Sequence, residues 1–345
     1  RDKLVTGVQT CALPILPGRW GRSKTQVEDL KRETGEHPLY DSFWQSKAAD
    51  LSRITVPAYV VASWTDQGLH TRGTLEGFKQ MSSKDKWLEV HGRKKWAYFY
   101  EPESVRRQQA FFDHFLKGID NDVPRWPKVR LEVRERYGAG AERRENEWPI
   151  ARSRWTKLLL DPGTAGRDIE GALVEAEPRH SSSVSYPASA MTKAGVASAS
   201  WTSTALAGSL PKMGASFETP PLPEDTEVTG PVVLVLWVSS TTEDLDVFAT
   251  LRNIAPDGQD VFELGQQSQP VPVAKGWLRA SHRALDPSLA LPHRPYHSHQ
   301  ERQWLKPDEV VRMDVEIWPT CMVFRKGHRI RLDIQPRDGV GSSPY

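Results

Sequence analysis

Two short apolar runs, each closed by a residue able to orient or accept a proton, dominate the first third of the chain. Tyr59-Val-Val-Ala-Ser-Trp64 is apolar at nearly every position and runs into Thr65-Asp66, and Lys86-Trp-Leu-Glu-Val90 runs into His91-Gly92. A near-continuous apolar run predicts a strand buried on both faces, as in a parallel sheet. Pro57 sits at the start of the first run, where a strand tolerates it. Between the runs Leu75, Phe78 and Met81 recur every third residue, which predicts a helix with one buried face. Downstream, Val105, Phe111, Phe112, Phe115 and Leu116 predict a second amphipathic helix, opened by Ser104 and closed by Gly118. Upstream, a short helix is predicted from Thr25 to Glu33 with Val27 and Leu30 facing inward. It is followed by Tyr40, Phe43 and Trp44 as a packing cluster. Strand, helix, strand, helix is the order of a parallel sheet joined by crossovers.

The period then changes to two. Pro124 and Pro127 punctuate a polar linker, after which Val129, Leu131 and Val133 alternate with Arg130, Glu132 and Arg134. The same alternation runs through Val311, Met313, Val315 and Ile317, and through Ile330, Leu332 and Ile334. It predicts half-buried antiparallel strands. Val232–Val238 is more continuous and is expected to be a central strand; Asp257-Gly258 marks a turn between two further strands. The expected fold class is α/β plus all-β: the C-terminal part of an α/β sheet domain, then a β-sandwich. The expected boundaries are 1–16 extraneous, 17–50 the tail of a helical cap, 51–122 the α/β part and 123–345 the sandwich. Arg1–Leu16 resembles translated adapter sequence and is set apart from the fold. Ala165–Thr204, rich in Ser and Ala, reads as a wrapping loop, and both ends of the chain read as cut.

Composition narrows the function classes. The 345 residues carry a net charge of only +2, which gives no electrostatic grip on nucleic acid or a membrane surface. No apolar run approaches the length of a membrane span. Cys11 and Cys321 are far apart and form no metal spacing or disulfide framework; compartment and oligomeric state stay open.

Asp66 and His91 are the candidate catalytic pair. An acid after one parallel strand and a histidine after the next match the ends of an α/β-hydrolase sheet. The plainer alternatives are an Asx-turn aspartate and a loop histidine beside a solvated Arg93-Lys94-Lys95 turn. His70 and His114 are further candidates for the base. No G-x-S-x-G elbow occurs, and Ser181–Ser183 and Ser342–Ser343 lie in loops. His293, His297 and His299 share a Pro-rich loop, but no carboxylate or cysteine there completes a set, so no metal is expected. Asp244 and Asp246 alternate with Leu245 and Val247 as outward strand residues rather than calcium ligands. With no Gly-rich phosphate loop, no cofactor is expected.

In order and spacing, several segments resemble the cocaine-esterase and X-prolyl dipeptidyl-peptidase (CocE/NonD) family of serine hydrolases. They are Val56–Asp66, Phe111-Phe-Asp-His-Phe-Leu-Lys-Gly118, Glu147-Trp-Pro149, Phe217-Glu-Thr-Pro220, Thr229-Gly-Pro231, Asp244–Leu251, Trp318-Pro-Thr320 and Lys326–Leu332. The resemblance implies an α/β-hydrolase domain with a helical cap followed by a jelly-roll. It also implies a Ser-Asp-His triad acting on a small-molecule ester or peptide substrate. Asp66 falls on the family's acid. The family's histidine follows a Gly-Pro-Trp type segment, whereas here the text is His91-Gly-Arg-Lys-Lys-Trp96, which leaves His91 as the nearest base. The serine motif belongs upstream of the cap, so the chain reads as a hydrolase fragment without its nucleophile. The rival classes are a lectin-like binding module and a non-catalytic homologue.

Overall fold

The computed structural model describes residues 29–163, 169–188, 214–266 and 268–338. The expectations for Arg1–Leu16, Val27, half of 165–204 and Ser342–Ser343 lie outside them. Residues 1–48 and 49–345 form two units.

In the first unit the described helices are α1 (Leu30–Glu36) and α2 (Ser42–Lys47). Of the predicted Thr25–Glu33 helix, the described part is helical from Leu30, which is 67% exposed rather than buried. The buried side chain there is Glu33, bonded to Arg32. Of the expected Tyr40, Phe43 and Trp44 cluster, Phe43 and Trp44 meet edge to face at 5.0 Å while Tyr40 is exposed; the His37 ring stacks on Phe43 at 4.4 Å, and Trp44 Nε1 donates to the His37 carbonyl at 2.7 Å. Asp41 caps α2 by accepting the Phe43 N–H at 3.0 Å, satisfying one of the donors a helix start leaves free.

The second unit opens with the two apolar runs. They form β1 (Ala58–Ser63) and β2 (Lys86–His91), parallel and in register from Ala58↔Lys86 to Ser63↔His91. The crossover between them carries α3 (Thr71–Gln80), whose Leu75 and Phe78 are buried against the sheet as the spacing predicts. Burying each side chain contributes about 2 kcal/mol. Among the described strands β1 is the last of the sheet, and its Val61 is exposed, so the expectation of burial on both faces holds only for β2. The next crossover carries α4 (Lys95–Phe99) and α5 (Pro102–Lys117). α5 buries Phe111 and part of Phe115, but Val105, Phe112 and Leu116 are exposed, a narrower apolar face than predicted. Its N-cap is Glu101, with Ser104 inside the first turn. Gly118 ends the helix at φ +70°, where its N–H reaches back to the Asp113 and His114 carbonyls.

Beyond the linker the strands are β3 (Val129–Arg136), β4 (Ala139–Glu145), β5 (Leu159–Pro162), β6 (Gly171–Val174, inside the stretch read as a wrapping loop), β7 (Ala215–Glu218), β8 (Thr226–Val238) and β9 (Asp246–Ile254), of which β3 is a predicted period-two segment. They continue as β10 (Glu263–Leu264), β11 (Pro270–Val271), β12 (Ala274–Arg279), β13 (Val311–Phe324) and β14 (Arg329–Gln335). The sheet runs β1-β2-β3-β13-β12-β9-β14-β7-β6-β5, with β4 on β3 and β8 on β13.

β3 pairs parallel with β2 (Leu88↔Val129) and touches β13 at Met322↔Arg134. Hydrogen bonding therefore continues across the linker at which a boundary is predicted. Packing continues too, because one core joins Trp64, Leu75 and Val90 to Trp148 and to Cys321 of β13. A larger core lies among β7, β8, β9, β12, β13 and β14. Among the described strands β8 pairs with β13 alone, and it exposes Val235 and Trp237, so it is not the central strand its composition predicts. β12 crosses β13 closely at Gly276, where a Cβ would stand 2.0 Å from the Glu316 carbonyl oxygen. Only glycine allows that approach.

Candidate active site

β1 ends at Ser63, and the chain turns through Thr65 and Asp66 into α3. The Asp66 N–H donates to the Ser63 carbonyl at 3.3 Å, and the Asp66 carbonyl accepts the His70 and Thr71 N–H groups. Thr71 Oγ1 donates to the Ser63 carbonyl at 2.7 Å, tying the first residue of α3 to the strand end. Gln67 is buried and donates through Nε2 to the Pro272 and Val273 carbonyls at 2.7 and 3.1 Å, pinning this turn to the segment just ahead of β12. Asp66 is thereby held by its backbone, 8% exposed. Lys95 Nζ, from the first turn of α4, lies 2.9 Å from its Oδ2.

His91 is at the tip of β2 and only 2% exposed. Its Nδ1 accepts the Arg93 N–H at 3.1 Å, and its ring stacks on Tyr98 at 3.8 Å. An accepting Nδ1 puts the proton of the neutral ring on Nε2. Burial, with the nearby Arg93 charge, pushes its pKa down to about 3, because a charged imidazolium loses its hydration there. Beneath it lies the buried Glu89 carboxylate, which accepts from the Tyr59 and Tyr98 hydroxyls and from Arg107 Nη1 at 2.6 Å. Glu89, His91, Arg93, Tyr98, Arg130 and Glu132 help line a cavity of about 250 Å³.

Asp66 and His91 thus stand at the carboxyl ends of neighbouring parallel strands, but no hydrogen bond joins them among the described residues. The reason is the pleat. Successive strand residues point to opposite faces, so His91 shares the face of Trp87 and Glu89, on the side of α4 and α5. Leu88 and Val90 face the core with α3. The basic turn after His91 is not a solvated run: Arg93 makes two bonds to Glu101 at 2.8 and 2.7 Å, Lys94 bonds Ser268, and Lys95 bonds Asp66. Lys95 is the site residue that sequence reasoning passes over. Its signal is a charge one helical turn past a strand tip.

The remaining candidates are dispersed. His70 is exposed just ahead of α3, and His114 is half-buried with Nδ1 3.2 Å from the Ile119 carbonyl oxygen. Ser182 is exposed and donates to the Pro162 carbonyl at 3.0 Å. Asp244 accepts the Ser281 N–H and hydroxyl at 2.9 and 2.7 Å, and Asp246 pairs with Arg279 at 2.8 Å. His293 stacks on Trp155 at 3.9 Å. His297 and His299 line a second cavity of about 570 Å³ together with His282, a partner the sequence does not suggest. Among the described residues, no helix is long and apolar enough to cross a membrane.

Comparison with known proteins gives consistent matches. Residues 121–343 match the model of the X-Pro dipeptidyl-peptidase C-terminal non-catalytic domain, and residues 19–94 match that of X-Pro dipeptidyl-peptidase of the S15 family. The chain is 24% identical to the cocaine esterase of Rhodococcus sp., over 87% of this chain and 52% of that protein. A Mycobacterium bovis protein named as a serine esterase is 32% identical over 36% of this chain and 19% of its own length. A crystal structure of a CocE/NonD family hydrolase from Staphylococcus aureus superposes with a TM-score of 0.81 at 32% identity, covering 92% of this chain and 52% of that one. The chain thus spans about half the length of the cocaine esterase and of the Staphylococcus hydrolase.

Proposed function

The chain belongs to the CocE/NonD hydrolase family, and from that premise we propose that it is the C-terminal portion of a serine hydrolase cleaving ester or amide bonds. The observation that carries this reading is the position of Asp66: a buried carboxylate in the turn after a parallel strand, fixed by backbone hydrogen bonds at the start of α3. A triad acid needs that rigidity, because its task is to hold an imidazole in one tautomer and to stabilise the imidazolium formed when a serine gives up its proton. In this reading the serine and the oxyanion hole come from a segment N-terminal to the 345 residues. The substrate is a small-molecule ester or a peptide. His91 is proposed as the base, being the histidine at the next strand tip. To serve Asp66 its ring must leave the Tyr98 stack, and Lys95 must release the carboxylate.

A second reading is favoured by one contact. Lys95 Nζ lies 2.9 Å from Asp66 Oδ2, as expected of a non-catalytic homologue in which the acid has become half of an ion pair.

The experiment has two arms. The purified 345-residue chain should not turn over a nitrophenyl ester above the buffer rate; turnover abolished by Asp66→Ala would overturn the inactive-fragment reading. In the chain extended by its own upstream coding sequence, Asp66→Ala and His91→Ala should each lower kcat by roughly 10³-fold or more. Activity that survives both substitutions would remove both residues from the triad.

A further inference from the structure

The second cavity carries chemistry that the hydrolase reading does not use. Phe248 of β9, Trp277 of β12, and Glu316 and Trp318 of β13 all line it. Phe248 pairs with Trp277, and Gly276 pairs with Ile317, so Phe248, Trp277 and Glu316 form one row across the three strands. Trp318 joins the row, its ring 5.1 Å from that of Trp277. The alternate positions Val247, Leu278 and Ile317 belong to the core. The row is therefore on the outer face of the sheet, where polar side chains are the rule. We propose that this cavity binds a neutral sugar, which lays a C–H face of its ring on Trp277 and Trp318 and hydrogen-bonds through its hydroxyls to Glu316 and His297.

The polar atoms left over on the cavity wall point to hydroxyls. Glu316 is only 9% exposed. Its Oε2 accepts from Arg72 Nε at 2.6 Å, while its Oε1 is buried with no partner among the described residues. The buried Nε2 of His297, on the loop ahead of β13, is likewise without a partner among the described residues. A buried polar atom left unpaired is destabilising, and a ligand entering the cavity can supply the missing partner. A hydroxyl donates once and accepts twice, so a polyhydroxy ring carries enough of them to serve both atoms. A purely apolar aromatic ligand would stack on the same tryptophans and leave both atoms unpaired. The cavity, of about 570 Å³, falls within the roughly 300–1,000 Å³ of small-molecule sites.

Charge selects a neutral ligand. Arg72 is neutralised by Glu316. Arg279 is neutralised by Asp246, whose carboxylate it grips through two bonds of 2.8 Å. Among the Arg, Asp and Glu side chains that line the cavity, no charge is left uncompensated. An organic cation held against aromatic faces gains most beside an unpaired carboxylate, and a phosphate or carboxylate needs an unpaired Arg or Lys. Neither is present on this wall. A sugar needs no countercharge, and it uses the stacking surface and the unpaired acceptor together.

The test is titration of the purified 345-residue chain with D-glucose, D-galactose, D-mannose and N-acetyl-D-glucosamine, followed by tryptophan fluorescence and calorimetry. At least one of these sugars should bind saturably, with one site per chain. Trp277→Ala and Glu316→Gln should each weaken that binding about tenfold or more. Trp277 is 40% exposed, so its truncation opens no core, and circular dichroism checks that both variants are folded. Trp237→Ala is the control: it removes an exposed ring of β8 that does not line the cavity, and it should leave the affinity unchanged. Tetramethylammonium and phenol, titrated in parallel, represent a cationic and a flat aromatic ligand. The proposal is overturned if none of the four sugars binds saturably, or if binding is unchanged in folded Trp277→Ala. It is also overturned if Trp237→Ala abolishes binding, or if tetramethylammonium or phenol binds in a Trp277-dependent way and the sugars do not.

Discussion

The Lys95 ammonium lies 2.9 Å from the Asp66 carboxylate, so the acid at the end of β1 is neutralised by a cation from the turn after β2. The pair spans the tips of two parallel strands. It also anchors α4, whose first residue is Lys95. The Asp66 side chain is 10% exposed and that of Lys95 34% exposed, so water screens the lysine end more than the aspartate end. Removing one partner is then asymmetric. Lys95→Ala strands a buried carboxylate and should cost about 2 kcal/mol, less than the 3–5 kcal/mol of a fully buried pair. Asp66→Asn leaves a lysine that can turn to solvent and should cost about 1 kcal/mol. Urea unfolding of the two variants and the double variant measures the coupling; equal costs for the two single changes would contradict this account.

His91 should impose an acid limb on stability. Its folded pKa is pushed down to about 3, whereas an unfolded histidine titrates near its ordinary value. Above that ordinary value both states are neutral and the group contributes nothing. Below it the unfolded chain binds a proton that the folded chain refuses, so stability falls as pH drops toward the folded pKa. At pH 5 the loss is about 2 kcal/mol. Arg93, Tyr98, Glu89 and Glu132 line the same cavity, and none of them supplies an unpaired anion to hold an imidazolium. His91→Gln should flatten the profile between pH 7 and 5 by about that amount, measured as the difference in unfolding free energy from the parent. An unchanged slope would place the buried proton deficit elsewhere.

How much of this is legible in the sequence differs between elements. β1, β2 and α3 follow from apolar runs and a three-residue spacing, because burial in a sheet leaves a dense local pattern. The period-two strands β3, β13 and β14 are legible for the same reason. In α5 the pattern promises more than the fold delivers: Phe112 and Leu116 carry the right residue type but stay exposed, and only tertiary packing decides that. The facing of His91 is available in principle, since it shares parity with Trp87 and Glu89 while the acid lies past the end of β1. The Lys95–Asp66 contact spans 29 residues and the Gln67 link to Pro272 spans 205. Neither leaves a local signature. The meeting of His282 with His299 is likewise a product of the fold.

The buried Arg134–Glu263 pair gives the sharpest stability test. Both side chains are 1% exposed and their closest approach is 3.9 Å, too long for a hydrogen bond. Among the described residues, neither Glu263 oxygen has a hydrogen-bond partner, nor does Arg134 Nη1. Arg134 is otherwise held by the Cys321 carbonyl at 3.1 Å and by Thr320. Burial lowers the arginine pKa and raises that of Glu263 to about 6. Both shifts run toward the neutral form, so desolvation outweighs attraction. For Glu263 the sign is that of a raised carboxyl. Its contribution is fully present below the unfolded pKa near 4.5 and is lost as pH rises through about 6. The free energy of Glu263→Gln relative to the parent should therefore improve by about 2 kcal/mol between pH 4 and 8. Arg134→Met alone removes the cation beside Glu263 and should cost about 3–5 kcal/mol at pH 8. Arg134→Met combined with Glu263→Leu should recover most of that loss. Denaturant unfolding of the four proteins at both pH values closes the cycle. A double variant no more stable than Arg134→Met would mean that the guanidinium bonds to β13, and not the ion pair, hold this junction together.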